Sequence, residues 1–451
     1  MQEFLNAIKL RLKGNYYAQR LLKPLLQSVR SLKAHPTQQF PEREPLIVSA
    51  PEIEAPPSPS AFLHNIDFPR TNEVVQFPVL ILSGWIAFDK AYQITQLEFG
   101  TELGYRFPLT GGDRPDVEAV YPHLAAIGFL GCIPIDAIQD AASYFVQFQL
   151  DNEQHRFPVD CSISLPDIEE FINRKQQKRQ RLQTLLCCPI CKSEELIVAI
   201  ARLDCRNCGA TFKTTEQGFN FLSQDLVDHG NVQPTNNVSF RSYDENVLSL
   251  IREFPDGLIL DNGCGMRDVY FDNVVNFEIV DYPTTDVLGI GEKLPFKSGS
   301  FDAIVSFAVL EHVRNPFECA AEIIRVLKPG GKLYVAVPFL QPFHGYPDHY
   351  YNMTSSGLKN LFEQDVEILE AGVSFWGKPI WTLNWFLKSY VRGLPAPVAE
   401  KFKQMRVVDF LEYPLNYMDQ DFVAQLTPEV DEELACNNYL IARKLTLEKS
   451  P

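Results

Sequence analysis

Leu258–Leu260 form a short apolar run that ends on an acid, Asp261, and two glycines follow one residue apart, Gly263 and Gly265. A run of this kind reads as a fully buried strand of a parallel sheet, with turn signals at its end. Glycines at such a turn admit backbone conformations and close approaches that a Cβ would block. The stretch therefore predicts an α/β domain whose ligand sits at the carboxyl end of this strand, with the turn opening into a helix. Asp261 either receives a ligand ammonium or braces the turn. A dinucleotide fingerprint needs a third glycine, and that position is Asp268, whose charge would repel a pyrophosphate. A ligand carrying an ammonium and a ribose but no phosphate fits better.

The rest of the 451-residue chain predicts further parts. Residues 1–33 carry seven Lys/Arg against Glu3, a local charge of +6 in a chain of net −16. They read as a basic amphipathic helix, able to pack on protein or to lie on an anionic membrane surface. Residues 34–72 are rich in proline and read as a stiff linker. Residues 73–166 alternate apolar and polar positions between turn signals and read as a β-sandwich, with Gly111–Val117 as a loop. Residues 167–186 include "NRKQQKRQR", a helical connector whose charges form a solvated face. The acidic balance makes a nucleic-acid partner unlikely on charge grounds. No apolar run is long enough to span a bilayer, and the N-terminus lacks an uninterrupted apolar core of a secretory signal. The scattered cysteines suit a reducing cytoplasm.

Cys188, Cys191, Cys205 and Cys208 form two Cys-x-x-Cys pairs within residues 187–222. Two such turns on facing hairpins bring four thiolates into a tetrahedron around Zn²⁺, a closed shell that makes the metal structural. Cys187 is not expected to be a ligand.

Downstream of the glycine turn, "VVNFEIVDY" reads as a second strand carrying Glu278, 17 residues past Asp261 and near the spacing of a ribose-binding acid. "GEKLPFKSGSFDAIVSFAVLEHV" and "RVLKPGGKLYVAVP" follow. Together these stretches closely resemble the class I S-adenosylmethionine (SAM)-dependent methyltransferases over about 110 residues. The fold implied is α/β: a Rossmann-like class I methyltransferase sheet over residues 223–451, preceded by the all-β sandwich and the small zinc ribbon. "GFNFL" after the ribbon is similar to bacterial ribosomal-RNA guanine methyltransferases. The β-segment, through "SGWIAFD", "DRPDVEAVYP" and "IGFLGCIPI", resembles small β-domains found beside enzymes of bacterial surface-polysaccharide pathways.

The resemblance implies SAM as cofactor. Asp261, Gly263 and Gly265 would form the methionine-side loop, Glu278 would take the ribose, Gly291 and Glu292 would flank adenine, and Ser306 with Phe307 would line the methyl-transfer end. Arg267 and Ile290 depart from the family pattern, at positions where many relatives have glycine and aspartate.

The segment Pro338–Leu358 holds His344, Asp348, His349, Tyr350 and Tyr351. Loops at strand ends carry chemistry disproportionately, so this one is expected to face the acceptor. His344 or His349, oriented by Asp348, is the expected base, with His312 next in line. "VEILEAGVSF" and "NNYLIARKL" read as the last two strands, and residues 376–430, with Trp376, Trp381 and Trp385, as a helical insertion. The expected acceptor is a saccharide of a surface polysaccharide or glycolipid. The alternatives are a ribosomal-RNA base and a SAM-binding scaffold without catalysis. The expected location is cytoplasmic, with peripheral contact to the inner face of the membrane through residues 1–33.

Overall fold

The computed structural model describes residues 62–436 and 438, apart from residues 122, 152, 200, 215–217, 234–241, 346–347 and 375–376. The expected basic helix and most of the proline-rich stretch lie outside the described residues. The linker nevertheless ends earlier than residue 72, because Leu63–Phe68 (β1) already pairs antiparallel with Val79–Asp89 (β3).

Residues 63–163 build two four-stranded antiparallel sheets and a short parallel pair of Glu73–Val75 (β2) with Cys161–Ile163 (β10). The first has the order β1, β3, Leu124–Pro134 (β7), Thr110–Asp113 (β6). The second has Arg106–Pro108 (β5), Ile94–Thr101 (β4), Tyr144–Leu150 (β8), Glu153–Val159 (β9). Leu80, Leu82, Ile86 and Phe129 from the first and Phe99, Val146, Phe148 and Phe157 from the second are buried in one core. Alternation along each strand sends these side chains inward, as a two-sided sheet requires. The "GGDRPDV" stretch is not a plain loop. Gly111 and Gly112 pair with Phe129 and Gly128, and a short helix, Pro115–Val120, follows.

The second sheet system has nine strands: β11-β12-β13-β14-β17-β16-β15-β18-β19. Its ordered half is Ile259–Asn262 (β15), Val274–Glu278 (β16), Val287–Leu288 (β17), Phe301–Phe307 (β18) and Leu327–Ala336 (β19), all parallel. The chain runs outward from β15 to β17, then returns to the other side of β15 for β18 and β19. The strand order therefore reverses between β15 and β18, and ligands of such sheets bind at the carboxyl ends there. The cysteine-rich hairpins, Leu196–Val198 (β11), Arg202–Cys205 (β12), Thr211–Thr214 (β13) and Phe219–Asn220 (β14), continue the same sheet through a parallel β14–β17 pair.

Two expectations fail here for visible reasons. No helix follows the glycine turn: residues 263–273 run through turns and bends straight into β16. A parallel crossover with its helix needs about a dozen residues or more, and this connection is too short. The helix Leu165–Gln183 covers that connection instead. Arg174 donates to the Tyr270 carbonyl at 2.7 Å, and Lys178 Nζ donates to the carbonyls of Phe271 at 2.7 Å and Val274 at 2.6 Å. Lys178 also meets Asp286 at 3.1 Å, and both side chains are buried. Lys175 Nζ, buried too, donates to the carbonyls of Pro283 and Thr285. The connector is thus not a wholly solvated face, because two of its cations supply donors to an otherwise open backbone.

The second failed expectation concerns "VEILEAGVSF". Residues 366–374 form no strand, and Ile368 and Leu369 are exposed rather than paired beside β19. "NNYLIARKL" falls outside the described residues apart from Asn438. Helices Pro379–Arg392 and Ala396–Lys403, with shorter turns to Glu433, occupy the expected insertion. Trp376 is outside the described residues. No described helix is long and apolar enough to cross a membrane.

Candidate active site

The turn after β15 is fixed by backbone bonds to the neighbouring strand. Gly263 and Cys264 both donate to the Phe277 carbonyl, at 2.9 and 3.1 Å. Gly263 and Gly265 adopt left-handed φ of 72° and 61°, which disfavours any residue with a Cβ. A Cβ on Gly263 would also lie 2.4 Å from Val309. The protein's own Val309 side chain thus fills the space that a Cβ on Gly263 would need.

Glu278, ending β16, reaches back to this turn. The Gly265 N–H donates to its Oε2 and the Ile279 N–H to its Oε1, both at 2.7 Å. Burial raises the pKa of this carboxyl, and the two amides oppose that shift. Two fixed donors orient the group while leaving lone pairs for hydroxyl donors.

Asp261 is committed on one side. Its Oδ2 accepts from Arg267, with Nη2 at 2.7 Å, and from the Tyr243 hydroxyl at 2.8 Å. The Arg267 guanidinium stacks 4.1 Å from the Tyr243 ring centroid. Arg267 thus braces the turn through Asp261. Asp261 Oδ1, Asn262 Oδ1 and Glu292 Oε1 are buried acceptors with no hydrogen-bond partner among the described residues. Asp261 and Asn262 end β15, Glu292 lies just past β17, and Glu278 ends β16 between them. Gly291 approaches this group: a Cβ there would be 3.6 Å from Asn262 Oδ1 and 2.8 Å from Cys319 Sγ. Burial raises the Glu292 pKa. Ile290 is buried against Gly230.

Ser306 does not line an open site. It is buried, and its hydroxyl faces Asn262 Nδ2 at 3.4 Å, supporting that amide. Asn262 is a further candidate, which the sequence motifs do not single out. Its place beside Asp261 at the strand end was the available signal.

A buried polar acceptor left unpaired costs about 1–3 kcal/mol. A ligand rich in donors would relieve three such sites here; a polyphosphate would meet carboxylates and no helix N-terminus. SAM fits this donor set, with an ammonium, ribose hydroxyls and an adenine amine.

Beyond β18 and β19 lies a histidine cluster. His312 Nδ1 donates to the Asp348 carbonyl at 2.8 Å, and His344 Nδ1 donates to the Pro342 carbonyl at 2.8 Å. A carbonyl only accepts, so both rings carry the proton on Nδ1 and present Nε2 as an acceptor when neutral. His349 is different. Its Nδ1 accepts from the His344 N–H at 3.2 Å and its Nε2 meets Asn352 Oδ1 at 3.0 Å. Both nitrogens are committed, and burial beside two other imidazoles holds its pKa down to about 4. His349 is therefore a brace of the loop rather than a base. Asp348 also changes role: its carboxylate accepts from the His349 backbone at 2.9 Å, and its carbonyl, not its side chain, orients an imidazole, that of His312. Burial lowers the His312 pKa. Gly345, with φ of 99°, passes so close that a Cβ would collide with the His312 ring. Trp385 from the insertion rests on His344, ring centroids 5.0 Å apart.

The four paired cysteines converge elsewhere. Cys188 Sγ lies 3.7 Å from Cys208 Sγ, and Cys191 Sγ 3.5 Å from Cys205 Sγ. All four sulfurs lie within 4.8 Å of one another. A tetrahedral zinc–thiolate site has sulfur–sulfur edges of about 3.8 Å, so the set fits that ion. Asn207 and nearby amides hold the Cys191 thiol down to about 6, while burial raises Cys188. Cys187 points away, to the Phe296 carbonyl at 3.1 Å.

Residues 267–335 match the family described as "Methyltransferase domain". Those residues are similar to a methyltransferase domain. Demethylmenaquinone methyltransferase of Renibacterium salmoninarum is 44% identical over 59 residues, 13% of this chain and 24% of that protein. The tRNA U34 carboxymethyltransferase of Cellvibrio japonicus is 34% identical over 113 residues, 20% of this chain and 35% of that protein. A solved phosphoethanolamine N-methyltransferase 2 of Haemonchus contortus, in complex with S-adenosyl-L-methionine, aligns at 10% identity over 73% of this chain and 63% of that chain, with a TM-score of 0.22. The chain thus spans about a quarter to a third of the length of these curated relatives.

Proposed function

We propose that the chain is a SAM-dependent methyltransferase that O-methylates a saccharide of a surface polysaccharide or glycolipid. The observation that carries the cofactor is the set of acceptors, buried Asp261, Asn262 and Glu292 with half-buried Glu278, beside a left-handed glycine turn at the strand-order reversal. Their charge and hydrogen-bonding character match an ammonium and hydroxyl donors. SAM, when bound, supplies a methyl activated on a sulfonium. Glu278 would hold the ribose, Gly291 and Glu292 would flank adenine, and Asp261 would meet the ammonium with its Oδ1.

A sugar hydroxyl is a weak nucleophile at neutral pH, so its proton needs an acceptor as the methyl arrives. His344 suits that role. Its Nδ1–H is held by the Pro342 carbonyl, which leaves Nε2 to take the proton. The Trp385 ring beside it would stack on a sugar face and help exclude water. The saccharide reading draws on the likeness of residues 73–166 to domains of polysaccharide pathways. The burial of Lys175 and Lys178 takes cations away from a surface that RNA would need.

Zn²⁺ on Cys188, Cys191, Cys205 and Cys208 would be structural. Its hairpins extend the same sheet as the ligand turn, so the metal would stiffen the β17 edge.

The test is incubation of the full chain with methyl-labelled SAM and cell fractions. Label in the glycan or glycolipid fraction supports the reading. Label in RNA keeps the methyltransferase and overturns the acceptor. Binding of SAM with no transfer to any fraction favours a scaffold.

A further inference from the structure

The helix Pro379–Arg392 is apolar on the outside. Ile380, Trp381, Leu383, Phe386 and Leu387 are all exposed, and of its residues Ser389 alone is fully buried. The apolar surface continues along the chain: Val407 is 79% exposed and Leu411 74%. Scattered apolar side chains on a surface are ordinary, but five on one 14-residue helix mark a contact. Charge says which kind. Across residues 379–418 five cations, Lys388, Arg392, Lys401, Lys403 and Arg406, stand against three acids, Glu400, Asp409 and Glu412, and none of those acids lies within the helix Pro379–Arg392, in a chain whose net charge is −16. Arg392 is paired with Glu433, whereas Lys378 and Lys388 have no ion pair among the described residues. Trp, Phe and Leu on one surface with flanking cations is the composition of helices that lie in a bilayer interface. The same helix supplies Trp385 to the His344 contact.

We propose that the segment 379–418 docks on an anionic lipid surface, and that the methyl acceptor is consequently a saccharide carried on a lipid. The acceptor half rests on the methyltransferase reading above; the docking half does not. With the apolar side chains of the helix in the interface, Trp385 on the same helix, and His344 beside it, would be brought close to the headgroups that a lipid-borne sugar adjoins. A soluble saccharide would have no use for such a surface.

The experiment is sedimentation of the full chain with vesicles of phosphatidylcholine plus phosphatidylglycerol, and with phosphatidylcholine alone. The expected result is strong binding to the anionic vesicles, weaker binding to the neutral ones, and a fall with added salt. Leu383→Ser with Phe386→Ser should abolish binding while leaving SAM affinity unchanged. Lys388→Gln, a mild surface change, should lower the partition coefficient about fivefold, the equivalent of about 1 kcal/mol per cation near an anionic surface. No binding by the wild-type chain overturns the proposal. So does equal binding by both variants, which would place the contact elsewhere, residues 1–33 included. A stable dimer that Leu383→Ser with Phe386→Ser dissociates, without vesicle binding, would instead assign the surface to a second copy. Loss of SAM binding in the wild type would strike the methyltransferase reading and leave the docking result standing.

Discussion

The Gly265 N–H donates to Glu278 Oε2 at 2.7 Å, so the glycine turn and the second strand's acid form one unit. The carboxylate that shapes the turn is the same one proposed to receive ribose hydroxyls. Its second oxygen is fixed by Ile279, which leaves it little freedom to rotate away. A ligand entering this site meets an acceptor already oriented, and orientation in advance lowers the cost of binding.

Lys178 ties the connecting helix to the sheet. Its pKa is pushed down to about 8 by burial, with Asp286 partly restoring it, and the ammonium lies 3.5 Å from the Tyr270 ring centroid. Lys178→Met would leave Asp286 buried without its cation. Removing one partner of a buried pair costs about 3–5 kcal/mol. Urea unfolding should show a loss of that order, whereas Arg181→Met on the exposed side of the same helix should change stability by less than about 0.5 kcal/mol.

The cysteine set should carry about one zinc per chain in elemental analysis of protein prepared in metal-free buffers. Cys205→Ser should lose the metal and lower the thermal midpoint. Zinc retained at full stoichiometry after replacement of both Cys188 and Cys205 would refute the ligand assignment.

The histidines should separate by role. His344→Ala should cut turnover by roughly 10²–10⁴-fold, the usual contribution of a positioned base, with little change in SAM affinity. His349→Gln should lose less activity but change the loop's pH stability. Its folded-state pKa is about 4, below the ordinary imidazole value of about 6.5. Between those values the unfolded state binds more protons, so stability should fall as pH drops from about 6.5 towards 4. Hydrogen exchange of residues 344–352 should follow that slope in the wild type and lose part of it in His349→Gln.

Much of this arrangement is legible in the sequence where local pattern and chemistry coincide. The strand ending on Asp261, the Glu278 spacing and the paired Cys-x-x-Cys turns each name residues that the fold brings together. Tertiary substitution hides the rest. No local signal tells that Lys175 and Lys178 turn inward, because the carbonyls they satisfy lie some 100 positions away. The missing crossover helix was foreshadowed only by the shortness of residues 263–273. His344 and His349 look alike in sequence, and what separates them is the partner of each ring nitrogen. "VEILEAGVSF" has strand-like composition but pairs with no described strand, and pairing rather than propensity decides strands.

The most direct measurement is isothermal calorimetry of the full chain with SAM. The expected result is micromolar-range binding, weakened about 10- to 100-fold in Glu278→Ala, since a charged hydrogen bond contributes about 1.5–3 kcal/mol. NADH should give no heat of binding. Absence of SAM binding in the wild type, or tight NADH binding in its place, would contradict the account.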